Sequence, residues 1–139
     1  LPDWRLISAE GAVLDQIGQH DAAREKYQYA LSLAPNEPAI LSNIGMSHVL
    51  TGDLSTAEQA LAKAGEHPRA DSQVRQNLAL VYGLQGRFDK AERIAKIDLS
   101  PDQVEQNMAY LRTLSAKRQA VSSEIDQRET TASVDRNSG

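Results

Sequence analysis

The chain contains no cysteine. A disulfide scaffold, a thiolate zinc site and a thiol nucleophile are therefore excluded. Rings are scarce: one Trp, one Phe and four Tyr make up 4% of 139 residues. Sandwiches and barrels draw on aromatic and β-branched residues, so an all-β fold is not expected. No apolar run approaches the roughly 20 residues of a membrane-spanning helix. Basic residues total 15 against 19 acidic ones, for a net charge of −4, and no basic block exceeds Lys117-Arg118. Nucleic acid calls for a clustered basic surface, so it is not the expected partner.

Helix formers are abundant: Ala, Leu, Gln, Glu and Arg dominate. Their arrangement repeats. Gly18, Gly52 and Gly86 are spaced by 34 residues, as are Ala23, Ala57 and Ala91, and Gly11, Gly45 and Ala79. Asn43 with Asn77, and Ala30 with Ala64, keep the same period. A period in this range marks a stack of supersecondary units. The spacing predicts helices over about 3–17, 21–33, 37–51, 55–66, 71–85 and 89–98. Gly18, Gly52 and Gly86 would close the first helix of each pair through a left-handed residue. Asp21, Ser55 and Asp89 would then cap the second, with Ser55/Glu58 and Asp89/Glu92 at capping-box spacing. Gly11, Gly45 and Ala79 fall mid-helix, where glycine is locally unfavourable, so close helix packing is the expected compensation.

Ser100-Pro101-Asp102 opens a seventh helix, with Ser as N-cap and Pro in the first turn. Its apolar face is Val104, Met108, Leu111 and Leu114. The predicted organisation is three hairpins over about 4–36, 37–70 and 71–100, then a capping helix over 101–119. Val121 and Ile125 extend that helix to about 128, and 129–139 reads as a disordered tail.

This 34-residue grammar resembles the tetratricopeptide repeat over residues 4 to about 100. The signature small residues fall on Gly11, Gly45 and Ala79 and on Ala23, Ala57 and Ala91. The following second-helix pairs are Tyr27-Ala30, Leu61-Ala64 and Ala95-Asp98. The late first-helix aromatic falls on Leu14, His48 and Tyr82, and the closing proline on Pro35. Pro68 comes one place early and Pro101 two, so the last hairpin is short. Glu10 departs from the pattern at a usual core position. The resemblance implies an all-α, right-handed α-solenoid of three such hairpins plus a capping helix, whose first helices line a concave groove. Aligned inner-surface positions are Arg5, Ser8, Ala12 and Gln16; Ser42, Asn43, Met46, Val49 and Leu50; and Gln76, Asn77, Leu80 and Leu84. The lysines by which some relatives clamp a C-terminal carboxylate are Ser, Ala or Gln here, so that ligand is not expected. The apolar middle of Met46, Val49, Leu50 and Leu80 suits an amphipathic helix or an extended apolar peptide. The alternative is that Val49 and Leu50 pack into the hairpin and only Met46 is exposed.

A narrower resemblance comes from the run Gln76–Lys96 with its Gln-Gly-Arg-Phe-Asp-Lys-Ala-Glu phrase, then Asp98-Leu-Ser-Pro-Asp102, Asn107-Met-Ala-Tyr-Leu-Arg112, and the opening Trp4-Arg5-Leu6. Together these resemble the TadD family of the Tad/Flp pilus assembly system. That resemblance implies a cell-envelope lipoprotein on the periplasmic side, with a secretin or another pilus-assembly component as partner. The start at Leu1, with only Leu1–Trp4 covering the first helix, leads us to expect a piece of a longer protein with further repeats and a lipid-bearing N-terminus. A generic, cytoplasmic adaptor and a self-associating homo-oligomer are the alternative readings.

Catalytic chemistry is not visible. His20, His48 and His67 are far apart and lack metal-ligand spacing. Gly83-Leu-Gln-Gly86 has no preceding strand to make it a phosphate loop, and no Gly-x-Ser-x-Gly elbow occurs. Asp102 and Glu105 complement a helix N-terminus. Tyr27 and Tyr29 read as hairpin packing. No enzyme activity, cofactor or metal is expected.

Overall fold

The computed structural model describes residues 1–138. Among them are seven helices and no strand: α1 (Trp4–Gln16), α2 (His20–Leu33), α3 (Pro38–Leu50), α4 (Leu54–Glu66), α5 (Ser72–Leu84), α6 (Phe88–Asp98) and α7 (Pro101–Asn137). The helices pair as hairpins α1/α2, α3/α4 and α5/α6. Each first helix also packs on the next, α1 on α3, α3 on α5 and α5 on α7. None of the helices is long and apolar enough to cross a membrane.

The period is visible in every turn. Gly18, Gly52 and Gly86 adopt φ of +81°, +79° and +77°, a conformation L side chains rarely take. The next amide then reaches back into the finished helix. Gln19 donates to Leu14 O at 2.9 Å, Asp53 to His48 O at 3.0 Å and Arg87 to Tyr82 O at 2.8 Å. This closure leaves one residue between glycine and the next helix. The second helices therefore begin earlier than their polar residues suggest. Gln19, Asp53 and Arg87 are the N-caps, not Asp21, Ser55 and Asp89. Only Asp53 caps through its side chain, accepting from Thr56 N at 3.2 Å. Asp21 and Asp89 sit inside the first turn, where they complement the helix dipole.

The mid-helix glycines are fitted to the side chain facing them. A Cβ on Gly11 would lie 2.5 Å from Tyr27 Cε1, and one on Gly45 would lie 2.6 Å from Leu61 Cγ. In the third hairpin both partners are small: Ala79 packs in one cluster with Ala95. Bulk on the second helix is thus traded against bulk on the first, and Ala95 leaves room that Tyr27 and Leu61 fill.

The solenoid face explains Glu10. Ile40, Ile44 and Ser47 on α3, and Val74, Leu78 and Val81 on α5, are buried against the preceding hairpin. Leu6, Glu10 and Val13 hold the same repeat positions on α1, and all three are exposed. Glu10 pairs with Lys26 at 3.0 Å.

At the other end α7 takes the place of a fourth first helix. Val104, Met108 and Leu111 are buried as Val74, Leu78 and Val81 are, but 30 residues on rather than 34. The shortfall comes from α6, two residues shorter than α4, together with the two-residue linker that follows it. Ser100 caps α7 in a reciprocal box with Gln103, with Pro101 in the first turn. Where a helix end near 119 or 128 and a disordered tail from 129 were expected, α7 continues to Asn137. No Pro or Gly interrupts 102–138. After Ser115 every described residue is exposed, so local propensity alone carries this part. Gly139, the end of the expected tail, lies outside the described residues.

Candidate functional site

The face made by α1, α3, α5 and α7 carries a polar ladder. Asn43 Nδ2 donates to Ser8 Oγ at 2.8 Å, and Asn77 Nδ2 donates to Ser42 Oγ at 2.9 Å. The rungs tie α1 to α3 and α3 to α5. Ser8 and Ser42 are buried, and their hydroxyls are already engaged. A third rung would join Gln76 and Asn107, the matching positions on α5 and α7. A cavity of about 330 Å³ stands there instead.

Its floor is Ala79, Leu80, Ile94, Ala95, Leu99 and Leu111; its mouth is Gln73, Gln76, Asn77, Asn107 and Tyr110. One flank is an ion pair across α5 and α6. Arg75 Nε and Nη2 donate to the two Asp98 oxygens at 2.8 and 2.9 Å, and Nη1 reaches Ala70 O at 3.2 Å. The hydrogen bonds from Arg75 hold the Asp98 carboxyl below its ordinary value, against the cost of burial. The two-pronged geometry fixes the wall of the cavity. A second, shallower cavity of about 400 Å³ lies between α3 and α5 and shares Gln73 and Asn77 with the first. Arg69 Nη2 meets Glu37 Oε2 at its edge, 2.7 Å apart.

The structure brings some of the sequence-derived groove residues together. Gln76, Asn77 and Leu80 line the first cavity; Ser42, Asn43 and Asn77 line the second. Arg5, Ser8, Ala12, Gln16, Met46, Val49, Leu50 and Leu84 lie outside both. Arg5 stacks on Trp4, 4.7 Å from the ring centroid. Met46 and Val49 are half-buried against the Leu61 and Val81 cluster. Leu50 is exposed, so of the three it is Met46 and Val49 that pack inward. Asn107, Tyr110, Arg75 and Asp98 were missed. The signal for Asn107 is its 30-residue offset from Asn77, hidden behind the 34-residue period.

A second polar group was also missed. Asp15 is buried and accepts from Tyr27 Oη at 2.8 Å, Ser47 Oγ at 2.9 Å and His20 Nδ1 at 2.8 Å. Arg24 Nε donates to Ser47 Oγ at 3.1 Å. Burial, then the hydrogen bond to Asp15 and its charge, pushes the Tyr27 hydroxyl far up. Ser, His and Asp meet here, but Ser47 is fully buried and donates to the carboxylate rather than to the imidazole. The group clasps α1, α2 and α3 together. Its sequence signal is Asp15 itself, where the later units have Val49 and Gly83. Among the described residues no group of three or more His, Asp or Glu is placed to hold a metal ion. Tyr29, read with Tyr27 as hairpin packing, is 48% exposed.

Residues 16–81 match the family model described as a tetratricopeptide repeat. No curated protein matches the chain. The match runs from the end of α1 into α5. The fold is the corresponding all-α solenoid of three helix hairpins with a capping helix, an architecture of protein–protein interaction modules.

Proposed function

We propose that the chain is a non-enzymatic interaction scaffold that seats an apolar side chain of a protein partner between α5, α6 and α7. One observation carries this reading. Ala95 stands where Tyr27 and Leu61 fill the first two hairpins, and a cavity of about 330 Å³ opens on the ladder face at that place. The volume falls at the lower end of the range of small ligand sites. The floor is apolar, while the amides of Gln76 and Asn107 at the mouth offer donors and acceptors to a partner's backbone. The phrases at Gln76–Lys96 and Asn107–Arg112 support a Tad/Flp pilus-assembly partner, such as the secretin, on the periplasmic side of the envelope.

The test uses the protein's own second hairpin as the template. Ala79→Gly with Ala95→Leu reproduces the Gly45/Leu61 pair and fills the cavity without a new packing motif. Wild type is expected to capture a secretin or other pilus-assembly component from an envelope extract carrying Tad components, and the folded double variant is expected to lose it. Equal capture by the variant would refute the cavity. Failure of wild type to capture any such component would refute the pilus reading.

A further inference from the structure

Two exposed helix faces, one at each end of the chain, are complementary. On α1 the seam is Leu6, Glu10, Val13 and Ile17, spaced 4, 3 and 4. Leu6, Val13 and Ile17 are 66%, 57% and 62% exposed. In α3 and α5 the positions of Leu6 and Val13 are buried by another helix. On the projecting part of α7 the seam is Val121, Ile125, Arg128 and Ala132, also spaced 4, 3 and 4. Val121 and Ile125 are 56% and 49% exposed. Run antiparallel, the two seams align layer by layer. Leu6 meets Ala132, Glu10 meets Arg128, Val13 meets Ile125 and Ile17 meets Val121. The single acid faces the single base, and the three other layers are apolar.

We propose that these faces join two copies of this chain, the α7 extension of each lying antiparallel on α1 of the other. Within one chain α1 and α7 make no contact, because the hairpins α3/α4 and α5/α6 stand between them. A second copy supplies both faces at once, so the exchange is reciprocal and closes as a two-fold dimer. The physical drive is the state of α7 beyond Ser115. A helical segment without tertiary contacts is marginal in water, and an apolar stripe laid on a matching one supplies the missing burial. Arg128 forms no ion pair among the described residues, whereas Glu10 already holds Lys26 of α2 at 3.0 Å. On docking, Glu10 sits between two cations and the pairing gains a salt-sensitive component.

The test is sedimentation of the full chain over a concentration range. Wild type is expected to pass from monomer to dimer. Ile125→Glu alters a side chain that packs on nothing in the monomer, so the packed helices α1 to α6 should keep their fold and thermal stability while dimerisation weakens about a hundredfold, tenfold at each of two interfaces. Val13→Glu should do the same from the other face. Glu10→Arg alone and Arg128→Glu alone should each weaken association about tenfold. An equimolar mixture of those two variants should recover wild-type association, because every Glu–Arg layer in the mixed dimer is again complementary. A wild type that remains monomeric would overturn the proposal. So would association indifferent to Arg128→Glu, the expected behaviour if α1 faces met each other or if another surface were used.

Discussion

Putting a methyl group on Gly45 tests the size-matching that sets the spacing of the hairpins. The new Cβ would lie 2.6 Å from Leu61 Cγ, 3.0 Å from its Cδ1 and 3.2 Å from Ala57 O. Leu61 is fully buried, and the nearest atom is its branch point rather than a flexible end. The helices must therefore separate or Leu61 must leave its rotamer. Overpacking of this kind costs about 3 kcal/mol at the upper end of its range. Alanine in place of a mid-helix glycine returns about 1 kcal/mol. The net expectation for Gly45→Ala is a loss of about 2 kcal/mol, or roughly 5–10 °C in Tm. Gly65 supplies the control. A Cβ there meets only Leu78 Cδ2, at an ordinary 3.7 Å. Gly65→Ala should keep the propensity gain, about 1 kcal/mol of stabilisation. Urea titration followed by far-UV circular dichroism measures both. The decisive arm is Gly45→Ala in a Leu61→Ala background, which copies the Ala79/Ala95 pair of the third hairpin. The Leu61 contacts are then gone and only the 3.2 Å approach to Ala57 O remains, so the same substitution should lose its cost and become stabilising by up to about 1 kcal/mol. If Gly45→Ala costs the same in both backgrounds, steric matching is not what placed the glycine.

Tyr27→Phe removes one of the three donors to the buried Asp15 carboxylate. It should cost about 1–2 kcal/mol in the same urea titration, while Tyr29→Phe, on an exposed ring, should be neutral. Acid should weaken the fold in two stages. His48 is held below its ordinary 6.5, first by burial and then by the Arg24 charge, against Asp53 and Asp15. The unfolded chain thus takes up the proton more readily, and the stability due to neutral His48 is full above that value and declines below it. Asp53 and Asp98 are held low by hydrogen bonds from Thr56 and Arg75. In Glu58 burial pulls upward, but the hydrogen bonds from Gln85 and Arg87 outweigh it. Their contributions are present above the ordinary carboxylate values and are lost as pH falls through the lower folded values, below about 4. Thermal scans should show a shallow fall in Tm as pH drops below the ordinary histidine value of 6.5 and a steep one below about 4. His48→Gln should flatten the first stage and leave the second.

Much of this architecture follows from spacing alone. Gly18, Gly52 and Gly86 mark the turns because a positive φ is a local requirement that few other residues meet. The boundaries of α1 to α6 follow within about one residue, while the end of α7 does not. The caps were misplaced because the glycine closure uses fewer residues than a side-chain cap would, which residue type does not reveal. Gln76, Asn77 and Leu80, which the period places on the inner surface, line the first cavity. That Ser8 and Ser42 are already engaged is not legible, because a hydroxyl facing solvent and one bound to Asn43 or Asn77 look the same in sequence.

The remaining features are relations between distant residues. The cavity is a missing side chain, and Ala95 becomes a vacancy only when α7 is set against α5 and α6. The partners of Asp15 come from two other helices, α2 and α3, and no local rule selects them. Asn107 joined the site because the short α6 and its two-residue linker shift α7 by four residues relative to the repeat. Spacing by itself determined the number of hairpins, their turns and where helices approach closely, since those depend on φ and side-chain size within a few dozen residues. Which polar groups are consumed, where space is left, and which helix faces are exposed were decided only by tertiary packing, because each depends on what a neighbouring helix brings to the same place.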